Sequence, residues 1–266
     1  MGIRRSVKNF PVKSALGVVL ALALMSNLAG AQTAADKDKP REKDWNTGLN
    51  AGFNLTRGNS KTLMLNGGVI AEYKKSANEF RLAIQGAYGE SAVTPSGGSN
   101  STEQTTVQNA KGVAEYKRLY ASSDYVYANG ELMHDHIAGI DYRLVAGPGL
   151  GHYFLKHDSQ TLSAEAGAAY VRQQLSDNVN NNVNLRLAQR YEIKPIAGAK
   201  LWETVEYLPV FNDFGNYFIN FEVGAEAAMT ERINLRVVLQ DQYNSRPAPD
   251  KETNDIQLIA GIGYKL

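Results

Sequence analysis

The sequence predicts an all-β protein, a closed antiparallel transmembrane β-barrel of about twelve strands. Three observations carry that expectation. Apolar residues recur at every second position through successive stretches, the period of a strand whose side chains alternate between two faces. The last stretch, 254–266, places Ile256, Leu258, Ala260, Ile262, Tyr264 and Leu266 on one side and, apart from Ile259, small or polar residues on the other. An exposed apolar edge of this kind templates aggregation, whereas a barrel pairs it with its first strand. Aromatic residues on the apolar side also sort to both ends of the stretches, as interfacial girdles require and a soluble sandwich does not.

Residues 1–31 have the layout of a cleaved secretory signal peptide. Arg4, Arg5, Lys8 and Lys13 form a basic start, 16–24 is an apolar run, and Ala29-Gly30-Ala31 is a small-residue cleavage site. The run is too short for a spanning helix, which leaves an uncleaved anchor as the minor alternative. Removing these residues takes away four basic side chains and no acidic one, so the formal charge moves from +1 to −3. That balance does not suggest a nucleic-acid partner. The chain has no cysteine, which excludes a disulfide framework and a lipid anchor at the cleavage site. Residues 32–43 are charged and contain proline, the composition of a flexible periplasmic lead-in. The barrel is expected over 44–266. No apolar run of about 18 residues exists there, which excludes an α-helical membrane protein.

The first strand has the cleanest alternation, with Trp45, Thr47, Leu49, Ala51, Phe53 and Leu55 on the apolar face. Leu63, Leu65, Val69, Ala71 and Tyr73 mark the second, and Phe80, Leu82, Ile84 and Tyr88 the third. The fourth, at 104–118, is weaker, with Ala110, Ala114 and Tyr116. Strands at 124–135, 141–155 and 160–173 follow, then Val183–Ile193, Leu201–Tyr207, Tyr217–Met229 and Ile233–Leu239 before the terminal stretch. An even number returns both termini to one side. Connections at 74–78, 120–123, 156–159, 194–198 and 230–232 are short. Those at 91–102, 175–182, 208–215 and 245–253 are longer and rich in Asn, Asp, Ser, Gly and Pro, while 57–60 is a short exception. Short periplasmic turns and longer outer loops are the habit of membrane barrels.

Several short motifs then occur in order. They include Gly58-Asn59-Ser60, Ala138-Gly139-Ile140-Asp141-Tyr142-Arg143, Gly147-Pro148-Gly149-Leu150-Gly151 and Glu165-Ala166-Gly167. Val205-Glu206-Tyr207-Leu208-Pro209, Asp213-Phe214-Gly215-Asn216-Tyr217 and 241–249 (DQYNSRPAP) complete the set. On these motifs, which span nearly all of 45–266, the chain resembles the salt-induced outer-membrane protein family of Gram-negative bacteria. The resemblance implies a barrel in the cell outer membrane with no catalytic residues to carry over. Its partners would be outer-membrane lipids and, during biogenesis, the barrel-assembly machinery and periplasmic chaperones. A monomer without cofactor is expected. Outer-membrane barrels usually end in an aromatic residue, and this chain ends in Leu266, so Tyr264 and Leu266 together form the expected assembly signal.

The alternation turns charge inward. Arg81, Lys111, Arg143, Arg186, Arg190, Lys200 and Arg236 have lumen parity, as do Glu115, Glu131, Glu165, Glu192, Glu206, Glu222 and Glu226. An Arg or Lys facing lipid at mid-bilayer would cost about 2–4 kcal/mol, which accounts for the sorting. Balanced charge admits two readings: an ion-paired network that braces the barrel, or a narrow polar channel. Gly147, Gly149, Gly151 and Gly167 thin one stretch of inner wall, either to admit long side chains or to leave a cavity. No helix follows 147–151, so these glycines are not a phosphate-binding loop. His134 and His136 share parity near Asp141, a weak metal signal without further ligands. An outer-membrane hydrolase with a Ser–His pair at the rim, and an interaction module built on the outer loops, are the alternatives from other classes. The 176–182 segment could collect a cation through its oxygens but reads first as a solvated loop. Glu203 has lipid-facing parity and Pro148 interrupts a strand; a β-bulge would explain either.

Overall fold

The computed structural model describes residues 45–56, 61–93, 102–175 and 178–266. The expected signal peptide, lead-in and 57–60 turn lie outside the described residues. Twelve strands follow in chain order: β1 (Trp45–Thr56), β2 (Lys61–Lys75), β3 (Asn78–Val93), β4 (Thr102–Leu119), β5 (Asp124–Asp135) and β6 (Ile140–Lys156). They continue as β7 (Gln160–Leu175), β8 (Asn178–Ile193), β9 (Ala199–Val210), β10 (Asp213–Ala228), β11 (Ile233–Asn244) and β12 (Asn254–Lys265). Each pairs antiparallel with its sequence neighbours, and β12 returns to β1, so the sheet closes.

Closure follows from the outward residues. Phe53, Ile84, Leu150, Ile256 and Leu258 are 60–67% exposed, an apolar belt that only lipid covers favourably. In hydrocarbon an unpaired backbone N–H or C=O finds no water, so a spanning sheet needs every edge paired. The strands are 12 to 18 residues long. Since about 9–11 tilted residues cross the core, their ends project beyond it. The closing seam joins Gly48 to Lys265, Leu49 to Tyr264, Asn50 to Gly263 and Ala51 to Ile262. Leu266, just past β12, donates its N–H to Thr47 O at 3.0 Å.

Aromatic rings cluster near both ends. At the end where β1 begins and β12 finishes, the terminal end of the barrel, Trp45 lies 5.0 Å from Tyr73 and 6.4 Å from Phe80. At the distal end, Tyr217 lies 5.6 Å from both Tyr207 and Tyr243.

Two expected loops are corrected. The 175–182 segment is mostly strand: Leu175 pairs with Asn178, Gln173 with Asn180 and Val171 with Asn182. Asn-rich composition signals a turn through side-chain hydrogen bonds, but a ladder uses backbone groups that every non-proline residue supplies. The 208–215 segment likewise shrinks to 211–212, because β9 runs to Val210 and pairs it with Asp213. The third, 91–102, is narrowed to 94–101, which lies outside the described residues. Only 245–253 has the expected length between strands.

Neither suggested bulge is present. Pro148 pairs with Ala128 on β5. Toward β7 the pairing lapses between Ala146–Tyr170 and Gly149–Gly167 with register unchanged, as a missing N–H requires. Glu203 stands between two lumen-lining residues, Trp202 and Thr204, and so keeps outward parity. It is buried, in register with Tyr191 and Val223.

Candidate functional site

Cross-strand register arranges the inner wall into rows. One row runs Tyr125–Gly151–Glu165–Ala188–Glu206–Asn220 from β5 to β10. The next runs Tyr127–Gly149–Gly167–Arg186 from β5 to β8. Adjacent strands are about 4.8 Å apart, so a tyrosine lying flat along a row can cross one or two glycine positions. A Cβ on Gly151 would fall 2.2 Å from Tyr125 Cζ, and one on Gly149 2.3 Å from Tyr127 Oη. On Gly167 it would meet Tyr127 Oη at 2.5 Å, and on Gly147 the Ala168 carbonyl at 1.9 Å. The four inner-wall glycines therefore neither hold a cavity nor admit chains from across the bore. Tyr125 and Tyr127 of β5 cover Gly149, Gly151 and Gly167, and Gly147 allows close backbone approach.

Passing over glycine brings each ring to a charge. Tyr125 Oη donates to Glu165 Oε1 at 2.9 Å. The Arg186 guanidinium sits 5.0 Å over the Tyr127 ring. Glu165 is the centre of the resulting network: Lys117 Nζ lies 2.7 Å from one oxygen and Arg186 Nη1 2.7 Å from the other. Lys117 also meets Glu115 at 3.0 Å, and Arg186 Nε meets Glu206 at 2.6 Å. Glu206 accepts a further bond from Asn220 Nδ2 at 2.8 Å. The network thus spans β4 to β10 along the wall. Separate pairs join Lys111 to Glu131 at 2.7 Å and Arg190 to Glu192 at 3.1 Å. A third aromatic repeats the device, since a Cβ on Gly224 would lie 2.0 Å from Trp202 Cζ2.

All fourteen charged residues that the sequence assigns to the lumen line interior cavities. Arg81, Lys111, Glu115, Glu131, Glu165, Arg186, Arg190, Glu192, Glu206 and Glu222 face a space of about 780 Å³ that extends to the turns at the terminal end. Lys200, Glu226 and Arg236 face an adjoining one of about 180 Å³. Arg143 faces a small recess under the distal mouth. There its guanidinium lies 4.3 Å over Phe218, and Nε donates to Gln173 at 3.1 Å.

Part of the distal interior is apolar. Val145, Ala169, Val171, Leu208 and Phe218 form one cluster. Met133, Ile140 and Leu175 form another around Ala248, which the 245–253 loop folds inward. Gly139 turns β5 into β6 beneath it with φ +68°, and a Cβ there would sit 3.4 Å from Ala248 Cβ.

Sequence reasoning passed over Lys117, Tyr125, Tyr127 and Trp202. The first three share parity with Glu115 and Glu131, which was the available signal. The weak histidine signal does not persist. His136 lies in the turn beyond β5, while His134 Nδ1 contacts Asp141 O at 2.8 Å. His152 Nδ1 pairs with Asp124 Oδ1 at 2.6 Å on the outer face. Among the described residues no group of three or more potential metal ligands forms. The segment read as a possible cation loop is strand from Asn178 onward. Tyr264 packs outward, its hydroxyl 3.3 Å from Arg232 Nη1, and Leu266 is 58% exposed.

Residues 49–266 match the family described as "Protein of unknown function, DUF481", and the chain belongs to that family. No curated protein matches the chain. Among solved structures, the NanC porin is similar at a TM-score of 0.51 and 9% identity, covering 83% of this chain and 100% of that one. The KdgM porin gives 0.44 at 10% identity, with 84% and 99% covered. The translocator domain of the autotransporter NalP from Neisseria meningitidis gives 0.42 at 12% identity, with 95% and 96% covered. At such identities the likeness to the NanC porin is one of fold.

Proposed function

We propose that this chain is an outer-membrane β-barrel whose lumen admits small polar solutes, with both barrel termini in the periplasm. The observation that carries the reading is where the ion pairs lie. They run along the wall from β4 to β10 and leave about 780 Å³ beside them. A purely bracing network would cross the bore and fill it; this one stiffens the wall and leaves a polar space beside it. The two roles coexist in the same side chains. The resemblance to salt-induced outer-membrane proteins supports a place in envelope adaptation. Tyr264 and Leu266 then present the assembly signal, and the apolar belt meets outer-membrane lipid.

Eight cationic and nine acidic side chains line the large cavity, so weak ion selectivity is expected. Planar-bilayer recording on folded barrel tests the reading. Discrete small openings with a reversal potential near zero in a salt gradient support it. Absence of openings from protein with the gel mobility of a folded barrel would defeat the channel.

A further inference from the structure

The smaller cavity does not share the charge balance of the larger one. Arg81, Arg190, Lys200, Arg236 and Lys265 line it against Glu72, Glu222 and Glu226. Those acids are engaged. Glu222 accepts Trp202 Nε1 at 2.7 Å and Gln240 Nε2 at 2.9 Å. Glu226 accepts Asn234 Nδ2 at 2.7 Å, and Glu72 stands 3.5 Å from Arg81 Nε. Among the described residues, Arg236 and Lys200 have no carboxylate at ion-pair distance. Both lie over the Trp202 ring instead, at 4.8 and 5.4 Å.

The backbone explains their convergence. Lys200, Glu226 and Arg236 occupy one row across β9, β10 and β11. Trp202 lies against Gly224 one step along, with both cations over its ring. Arg81 enters the same space from β3, its Nε held by Glu72 as an ion pair without a hydrogen bond. Arg81 is paired with Glu72 and Arg190 with Glu192, which leaves Arg236 and Lys200, on either side of Glu226, as the cations an anion would complete. Guanidinium groups match the fork of a carboxylate or phosphate. The space, about 180 Å³, holds about six water volumes, enough for a small solute.

We propose that this cavity binds a small solute through its carboxylate or phosphate group, with Arg236 and Lys200 as the main contacts and Arg81 and Arg190 beside them. The site deepens the solute-accessible reading of the lumen and rests on it. The chain has two tryptophans, and Trp45 lies on the outer face, so Trp45→Phe makes Trp202 the only indole reporter. Folded full barrel carrying that change is titrated with sodium acetate, sodium phosphate or, at matched ionic strength, sodium chloride.

A saturable change in Trp202 emission with acetate, phosphate or both, absent with chloride, supports the site and names the group. Lys200→Gln and Arg236→Gln should each raise the midpoint at least about tenfold, with heat-modifiable mobility confirming that each variant is folded. A response that follows ionic strength alike for all three salts, or midpoints unchanged in both variants, overturns it. Because the readout is binding and not current, a conducting barrel without saturation sinks this site alone. Saturation in a barrel that does not conduct sinks only the channel.

Discussion

Glu165 shows how one residue carries wall stability. Its side chain is 7% exposed and its two oxygens take Lys117, Arg186 and the Tyr125 hydroxyl. Removing one member of a buried pair strands the other charge, at about 3–5 kcal/mol. Lys117 keeps Glu115 and Arg186 keeps Glu206, so Glu165→Gln should fall near the low end, about 3 kcal/mol. Urea unfolding of vesicle-inserted barrel measures it. The double variant with Arg186→Met should be less than additive by about 0.5–3 kcal/mol, and strict additivity would show that the pair is not coupled. Gly149 makes the opposite point, since its missing Cβ matters. Gly149→Ala puts a carbon into the Tyr127 ring and should cost about 1–3 kcal/mol by overpacking. Adding Tyr127→Ala should recover part of that loss; no recovery would mean that the glycine serves the backbone alone.

At the scale of a strand, parity decides what a substitution meets. Ile84 is 67% exposed on the outer face of β3, and Gln85 beside it lines the large cavity. Ile84→Arg should therefore lose about 2–4 kcal/mol, whereas Gln85→Arg should lose little, because its charge enters a polar space. Comparable losses in urea titrations of both would contradict the assigned faces. Parity is also why so much of each element could be read from sequence. The 124–135 strand was legible end to end, and β12 nearly so. Composition misled at Asn178–Asn182, where five residues that look like loop are held by backbone pairing to Val171–Leu175. It also hid Tyr125 and Tyr127. Both have lumen parity, yet neither is charged, and only cross-strand register shows which glycine each ring covers. Register depends on the stagger of neighbouring strands, which one strand's pattern does not contain.

Across the whole barrel the interior is polarised along its axis. The charged space opens among the terminal-end turns, with Lys156, Asp158 and Lys194 at its border, while apolar clusters occupy part of the distal side. Sequence parity could not show this, because Ala248 reaches Met133, Ile140 and Leu175 from a loop that alternation does not describe. Water and ions avoid a narrow apolar constriction, so the distal side, and not the ion-paired belt, should limit flow. The inward-folded 245–253 loop is the removable part of that constriction, since β11 and β12 end outside it. Shortening it by deleting 247–251 leaves the β11–β12 register intact and withdraws Ala248 from its cluster. Single-channel conductance should then rise at least about twofold, while Glu165→Gln, which alters the wall and not the constriction, should change it less. Unchanged conductance in the shortened barrel, with folded mobility on gels, would move the constriction away from this loop and onto the Val145–Phe218 cluster.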